Sequence, residues 1–335
     1  MGQMMDRRAC ALVVAACLVA LPMRAATSQP AKLPRIGWVT PAASFGSAPS
    51  QRAFLDGLRD HGYVEGRDFV IEFRSTGGRA GRFADLTAEL VELPVDVFVV
   101  GVCGEPLDAA RRATRTIPIV VMACNDDLVG TGIIKSLNRP GGNITGLSKL
   151  TPELAAKRLE LLKETIPTVS RVAVLWNPAY SDFKADWHEL RSAANRLQIT
   201  LYPVEFRRTE EIEAAFAAIN NQHVDALITF SDQLTYFYAK QVAELAAATH
   251  LPALFAYREV PDAGGLISYG PNILDLCRRA AGYVVKILRG AKAGDLPMEQ
   301  AEKFELVVNL KAAKELGITI PQSVLLRADD VIRPD

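Results

Sequence analysis

The chain has 335 residues, which is long enough for two domains of ordinary size. Its 38 basic and 38 acidic side chains balance, which argues against a nucleic acid or an anionic membrane surface as a partner. Hydrophobic residues make up 49% of the chain, a share typical of a globular protein with a substantial core.

Residues 1–26 have the pattern of a secretory signal peptide. Two arginines precede an apolar run over 9–23, and small residues follow up to Ala26. The run is shorter than the roughly 20 residues that span a bilayer, so cleavage near Ala26 and a periplasmic location are favoured over a membrane anchor. A lipid-modified Cys17 is the alternative, but the residues after Cys17 stay apolar where a lipoprotein usually turns polar.

From Leu33 onward, apolar strands alternate with amphipathic helices. In the first half, strands are predicted over 35–40, 68–74, 96–102, 117–122 and 143–147, with helices over 51–61, 82–92 and 106–114. The run at 117–122 is apolar at every position, as expected of a parallel strand buried on both faces. The alternation predicts a parallel, doubly wound sheet.

After Leu150 the same alternation starts again. Strands are predicted over 171–176, 200–206, 225–230, 253–256 and 266–269, with helices over 152–165, 184–197, 210–220, 234–249 and 273–289. The two halves share the order of their elements. The expected fold class is therefore α/β, with two doubly wound parallel-sheet lobes.

The sequence contains no motif that indicates catalysis or cofactor binding. Gly130 and Gly132 lack the third glycine of a dinucleotide-binding loop, because residue 135 is a lysine. The four histidines lack the spacing of metal ligands. We therefore expect no cofactor, no metal and no enzymatic activity.

Short polar side chains with scattered aromatic residues follow the predicted strands at their carboxyl ends. They are Thr40, Ser44, Cys103, Cys124, Asn125 and Asp126 in the first half, and Asn177, Tyr180, Ser231, Asp232 and Tyr257 in the second. Because ligands bind at this edge of open α/β sheets, the set predicts a cleft between lobes for a small polar or aromatic solute.

Within this set, Asp126 and Asp232 occupy matching positions after apolar strands, and we expect them to face each other across the cleft. The pair Asp126 and Asp127 has two interpretations, as turn-forming residues or as one ligand-facing and one solvent-facing carboxylate. Trp38 and Trp176 lie inside strands and are expected in the core.

Cys103 and Cys124 are a candidate disulfide. If the first sheet has the strand order 2-1-3-4-5, both cysteines lie at the carboxyl ends of adjacent strands, about 4.8 Å apart. Cβ atoms on adjacent parallel strands often point poorly for bridging, so the sequence leaves the bond open. Cys277 is expected to be buried and free.

Several phrases of the sequence are specific in combination: RIGWVT at 35–40, RPGGNITGLS at 139–148, RVAVLWNP at 171–178 and IPQSVLLRADDVI at 320–332. Together they resemble the substrate-binding proteins of ABC transporters, in particular the group that includes tryptophan- and tyrosine-binding lipoproteins. The resemblance covers roughly residues 33–332. It implies a monomeric, non-enzymatic receptor with a type I periplasmic-binding fold, which delivers an amino acid or similar solute to an inner-membrane ABC permease.

The resemblance also implies that the chain passes between the lobes more than once. The first lobe is expected over 33–148 with about 262–296, and the second over 152–258 with about 304–332. Hinge segments are expected near 148–152, 257–263 and 297–304.

Two other classes of protein share this arrangement of elements. An exported α/β enzyme would use Asp126 or Asp232 as a base, but no paired histidine, cysteine or nucleophilic serine motif accompanies them. The ligand-sensing domain of a repressor would carry a helix-turn-helix where this chain has its export signal.

Overall fold

The computed structural model describes residues 32–40, 46, 48–77, 79, 81–149, 152–178 and 183–334. The predicted signal peptide at 1–26, with its alternative lipid site Cys17, lies outside the described residues. The candidate site residues Ser44 and Tyr180 also lie outside them.

The first half of the chain forms the alternating elements that the sequence predicts. They are β1 (Arg35–Thr40), α1 (Pro49–Asp60), β2 (Val70–Ser75), α2 (Phe83–Val91), β3 (Val97–Val102), α3 (Glu105–Ala113), β4 (Ile119–Cys124) and β5 (Ile144–Ser148). Strand β4 is buried at every position, which is why its sequence is a continuous apolar run rather than an alternating one.

The second half repeats the alternation. Its elements are α4 (Glu153–Thr165), β6 (Arg171–Trp176), α5 (Phe183–Leu197), β7 (Thr200–Glu205), α6 (Ile212–Asn221), β8 (Ala226–Thr229), α7 (Gln233–Phe237), α8 (Ala239–Ala248) and β9 (Ala253–Phe255). The helix predicted over 234–249 is interrupted at Tyr238, which has non-helical backbone angles and divides it into α7 and α8.

The last part of the chain contributes elements to both sheets. They are α9 (Glu259–Asp262), β10 (Ile267–Pro271), α10 (Ile273–Leu288), β11 (Glu299–Gln300), β12 (Phe304–Asn309), α11 (Leu310–Glu315), α12 (Gln322–Leu325) and β13 (Asp330–Ile332).

In the part of the chain that the structure describes, the strands form two sheets. One has the order β11-β5-β4-β3-β1-β2, and the other has the order β13-β12-β10-β9-β8-β6-β7. Neighbouring strands are parallel, whereas β12 runs antiparallel to β10. The predicted fold class, two α/β lobes with doubly wound parallel sheets, is confirmed. The strand order 2-1-3-4-5 considered for the first lobe is also present.

Strand β10 lies in the second lobe, whereas the sequence predicts it in the first. Strand β10, expected to return to the first lobe with residues 262–296, pairs with β9 and β12 in the second sheet. The chain therefore leaves the second sheet only after Pro271, not within the hinge predicted at 257–263. An apolar strand can join either sheet, so its sequence does not show which one. Here its partner β12 follows later in the chain, after helix α10. The other lobe boundaries remain predictions.

The segments that pass between the sheets lie next to one another. The backbone N–H of Ala301 donates to the carbonyl of Ser148 (2.8 Å), and that of Asn272 donates to the carbonyl of Lys303 (3.1 Å). Helix α10 then packs against α1 in the first lobe. The helices approach so closely that a Cβ added at Gly57 would lie 2.3 Å from the carbonyl oxygen of Arg278.

Gly146 shapes the edge where β4 meets β5. Its φ is +135°, and a Cβ added there would lie 2.0 Å from the carbonyl oxygen of Val121. The register between the two strands shifts between Val121 and Cys124. This irregularity sets where the chain emerges after β5, at the edge that carries the candidate site.

We expect Gly146→Ala to destabilise the fold by at least about 2 kcal/mol, because a side chain there meets both backbone strain and a collision. Gly142→Ala is the matched control, since nothing lies within 4 Å of its added Cβ. Urea denaturation of both variants measures the difference. Equal midpoints for the two variants would contradict this account of Gly146.

Candidate functional site

The strand ends of the two lobes meet at Asn125 and Ser231. Asn125 follows β4, and its side-chain N–H donates to the backbone carbonyl of Ser231, which follows β8 (3.4 Å). Asn125 is 2% exposed and Ser231 is 8% exposed. Candidates from the two lobes are therefore in direct contact through a buried hydrogen bond.

The adjacent carboxylates Asp126 and Asp127 have different environments. Asp127 is exposed, and its carboxylate accepts from the backbone N–H of Gly130 (2.8 Å) while its carbonyl accepts from the hydroxyl of Thr131 (2.7 Å). These are the bonds of a turn-forming aspartate. Asp126 is half-buried and interacts electrostatically with the ammonium of Lys149.

Asp232 is 1% exposed and sits at the start of α7. One carboxylate oxygen accepts from the backbone N–H of Thr235 (3.1 Å), and the other lies 3.1 Å from the Thr235 hydroxyl. These bonds satisfy donors at the start of the helix. They also fix the direction of a buried negative charge, which acts on Lys149 from the second lobe.

Lys149 lies among the polar cluster formed by Asn125, Asp126, Ser231, Asp232 and Tyr257. It follows β5 directly, is 5% exposed, and its backbone N–H donates to the carbonyl of Cys124. Its ammonium donates to the hydroxyl of Tyr257 and lies 4.7 Å from the centroid of the same ring. Burial lowers the pKa of Lys149 to about 8, although the charges of Asp232, Glu259 and Asp126 act in the opposite direction.

Tyr257 connects the second lobe to the core of the first. It follows β9, is 1% exposed, and packs among first-lobe residues such as Trp38 and Phe54. Its ring meets that of Tyr236 edge to face, with centroids 5.3 Å apart. Burial raises the pKa of Tyr257 well above its ordinary value, so its hydroxyl stays protonated and polar. The Tyr236 hydroxyl bonds to Ser50 at the start of α1.

Arg158 forms hydrogen bonds that hold the second-lobe residues of the cluster in place. This α4 residue is 1% exposed, and its guanidinium donates to the hydroxyl of Ser231 (2.7 Å) and to the carbonyls of Tyr269 (2.9 Å) and Thr229 (3.3 Å). Such a fork of donors suits several acceptors at fixed angles. It holds the segment that carries Ser231 and Asp232 in place.

Cys103 and Cys124 form a disulfide in the structure, with their Cα atoms 5.0 Å apart. The residues before them, Val102 and Ala123, are paired in the parallel register of β3 and β4. Both cysteines are buried, at 1% and 0% exposure. The bond therefore ties two strand ends at the edge of the first sheet, and Cys277 is free and buried.

Other candidates lie at the same edges but farther out along them. Thr40 ends β1 and accepts from the side chain of Gln51 (3.5 Å), while Asn177 follows β6 and is half-buried. Trp38 and Trp176 are 2% and 8% exposed and belong to hydrophobic clusters, as expected of core residues. The structure thus brings together Asn125, Ser231, Asp232 and Tyr257 around Lys149, with Asp126 close by.

Sequence reasoning missed Lys149 and Arg158. The positional rule that selected the other residues also applies to Lys149, because it is the first residue after β5. Arg158 gives no comparable signal, since a charged residue on an amphipathic helix is usually solvated.

An open cavity of about 470 Å³ adjoins the cluster on the first lobe. Asp126 and Ser148 line it together with Leu137, Met298 and Gln300. Its size is within the range of small-molecule sites, and its lining combines apolar side chains with a few polar groups.

Comparison with known proteins agrees with this architecture. The family model described as "ABC transporter substrate binding protein" matches residues 47–332. The chain belongs to the family of ABC transporter substrate-binding proteins. Members of this family bind small-molecule solutes and work with ABC permeases, and the resemblance noted in the sequence is confirmed.

Several individual proteins are similar to this chain over most of its length. A tyrosine-binding protein from Clostridioides difficile is 24% identical over 269 residues, which are 80% of this chain and 76% of the relative. The structure of an ABC domain from Streptococcus pneumoniae in complex with L-Trp is 28% identical, with a TM-score of 0.80 over 90% of this chain and 100% of that chain. A conserved domain protein from Vibrio cholerae is 29% identical, with a TM-score of 0.81 and the same coverage.

The described residues contain neither a candidate membrane span nor a candidate metal site. Within those ranges, no helix combines the length and the apolar character needed to cross a membrane. Over the same residues, no cluster of three or more His, Cys, Asp or Glu side chains has the arrangement of a metal site.

The depressed pKa of Lys149 predicts a particular dependence of stability on pH. Between about pH 8 and the ordinary value of 10.5, the unfolded chain holds a proton on this residue that the folded protein has lost. Raising the pH through this window therefore favours the folded state. Relative to Lys149→Met, the free energy of unfolding of the wild type should rise by up to about 3 kcal/mol across it.

Denaturation curves at several pH values between 7.5 and 10.5 test this expectation. Lys311→Met, at an exposed position, controls for the loss of a lysine. A constant difference between wild type and Lys149→Met across the window would show that burial does not lower the pKa of Lys149.

Proposed function

We propose that this protein is the solute receptor of an ABC importer and binds a small polar or aromatic solute in the cleft between its lobes. An aromatic amino acid is the first candidate. The observation that carries the proposal is the convergence of buried polar groups from both lobes at Lys149, with Asn125 and Ser231 in direct contact.

The chemistry of the cluster suits an amino acid. The carboxylates of Asp126 and Asp232 can accept from an ammonium group. The partly buried ring of Tyr236 offers aromatic surface for the apolar part of the solute. The relatives support this choice of solute, because one is named a tyrosine-binding protein and another was solved with L-Trp.

The connections between the sheets support a receptor that opens and closes. The crossing segments are held side by side by the bonds Ala301 to Ser148 and Asn272 to Lys303, which favours rotation about one common axis. We infer that solute binding stabilises the closed form and that an inner-membrane permease recognises it. The receptor acts as a monomer in this proposal.

We propose binding without catalysis. The rival interpretation uses Asp126 or Asp232 as a general base, but the Asp232 carboxylate already accepts from the backbone of Thr235. No specific observation favours an enzyme over a receptor.

Isothermal titration of wild-type protein with L-tyrosine and L-tryptophan tests the function. Asp126→Asn should weaken binding by roughly 1–2 kcal/mol, about 5- to 30-fold in Kd, because a neutral acceptor replaces a charged one. Asp232→Asn should act in the same direction, since asparagine still caps a helix. Asp127→Asn is the matched comparison: Asp127 also lines the cavity, but its carboxylate is already bonded to the backbone N–H of Gly130, so the loss of affinity should be smaller than in Asp126→Asn.

Two results would refute this assignment. One is an absence of binding and of thermal stabilisation with both amino acids, since solute at 100 times its Kd should contribute about 2.7 kcal/mol. The other is an equal loss of affinity in the Asp126 and Asp127 variants.

We also propose that the protein is exported to the periplasm. The disulfide between Cys103 and Cys124 supports an oxidising compartment. Amino-terminal sequencing of protein from the periplasmic fraction should give a chain that begins near Thr27. A lipid-modified Cys17 would replace plain cleavage by anchoring, and an intact Met1 would rule out both.

A further inference from the structure

We propose that Lys149 determines the charge class of the solute: its buried ammonium offsets part of the negative charge of Asp126 and Asp232, which shifts the preference of the cleft from a simple cation toward a zwitterion. This inference rests on the proposed function, because it assumes that the solute binds beside those two carboxylates. Lys149 then acts as a specificity-determining residue, whether or not it touches the solute.

The backbone of Lys149 fixes where this charge can lie. Its N–H is bonded to the carbonyl of Cys124, whose side chain is joined to Cys103. Its ammonium is bonded to Tyr257, which the second lobe carries. The charge therefore lies at the junction of the lobes, where it acts on groups of both.

The groups around the ammonium are mostly acidic. The negative charges of Asp126 after β4, Asp232 after β8 and Glu259 in α9 act on it. Cys277 in α10 is a further titratable neighbour, but burial raises the pKa of that thiol to about 12, so it carries no charge near neutral pH. The hydroxyl of Tyr257, to which the ammonium donates, also stays neutral.

Arg158, another buried cation, is held within the second lobe. Its guanidinium donates to the hydroxyl of Ser231 and to the carbonyls of Thr229 and Tyr269. The charge of Lys149 acts on Asp126 and Asp232, and on Glu259 together with the charge of Arg258. Without Lys149, this region would have an excess of negative charge in an environment where Coulomb forces are stronger than in water.

This excess predicts a change of preference. Tyrosine and tryptophan are zwitterions near neutral pH, whereas tyramine and tryptamine lack the carboxylate and carry one positive charge. In the wild type, Lys149 offsets part of the negative charge, which lowers the affinity for the amines relative to that for the amino acids. A variant without the ammonium should gain affinity for the amines, since their charge takes the place of the one removed.

The test is isothermal titration at pH 7 of wild type, Lys149→Met, Lys149→Arg and Tyr257→Phe with L-tyrosine, tyramine, L-tryptophan and tryptamine. The ratio of the amine Kd to the amino-acid Kd should fall at least tenfold in Lys149→Met. It should stay within about threefold of wild type in Lys149→Arg, which keeps the charge, and in Tyr257→Phe, which loses only the hydrogen bond. Circular dichroism confirms that each variant is folded.

An unchanged ratio in folded Lys149→Met overturns the proposal. An equal fall in Tyr257→Phe also overturns it, because the hydrogen bond rather than the charge would then set the preference. If Lys149→Met does not fold, Lys149→Gln replaces it with the same expectation.

A measurement without solute separates this proposal from the proposed function. The charge of Lys149 lowers the pKa of Glu259, which burial raises. In Lys149→Met, which lacks that charge, the folded protein should take up a proton on Glu259 more readily. The free energy of unfolding of this variant, relative to that of wild type, should therefore fall as the pH rises from 5 to 7.

If wild type binds none of the four probes, the proposed class of solute fails. A growing difference in denaturation midpoint then still supports Lys149 as the balancing charge, and a constant difference overturns it.

Discussion

A charged group can be buried in a protein only if opposite charges or strong hydrogen-bond acceptors lie close to it. Lys149 satisfies this condition with groups from both lobes: Asp126 from the first, and Asp232, Glu259 and Tyr257 from the second. These groups are far apart in the sequence. The compensation therefore exists only when both sheets have formed and their edges face each other.

The topology explains why such distant residues converge. Parallel strands joined by helices must all end at the same edge of their sheet, so each lobe collects the residues after its strands in one place. The crossing segments then hold the two edges opposite each other, because Ser148 is bonded to Ala301 and Asn272 to Lys303. The hydrogen bond between Asn125 and Ser231 is the direct result of this arrangement.

The sequence predicts most of this arrangement, because its strongest signals come from burial. Strands buried on both faces, such as β4, are continuous apolar runs, and the helices between them show one apolar face. The strand order of the first lobe made Cys103 and Cys124 neighbours, and the structure contains the bond that this order allows. The rule that polar residues after parallel strands form sites selected Asn125, Ser231, Asp232 and Tyr257, which the structure brings together.

The failures have physical causes as well. The lobe predicted for strand β10 is wrong because the apolar pattern of a strand indicates that it is buried. The pattern does not indicate which sheet the strand joins. Arg158 and Lys149 were overlooked because a lone basic residue is usually solvated, and burial of such a residue depends on partners that only the folded chain supplies. The adjacent carboxylates Asp126 and Asp127 could be told apart only by the turn that engages Asp127.

A lysine is an unusual choice for a fixed charge, because its long side chain loses about 2 kcal/mol of rotamer entropy when it is immobilised. The structure lowers this cost by fixing both ends of the residue. The backbone of Lys149 is bonded to Cys124, whose position the disulfide to Cys103 restrains, and Gly146 allows the irregular pairing of β4 and β5 that brings the two residues together. At the other end, Tyr257 is itself packed into the core of the first lobe. The ammonium therefore lies between two rigid supports, so its charge has a defined position even though the side chain that carries it is flexible.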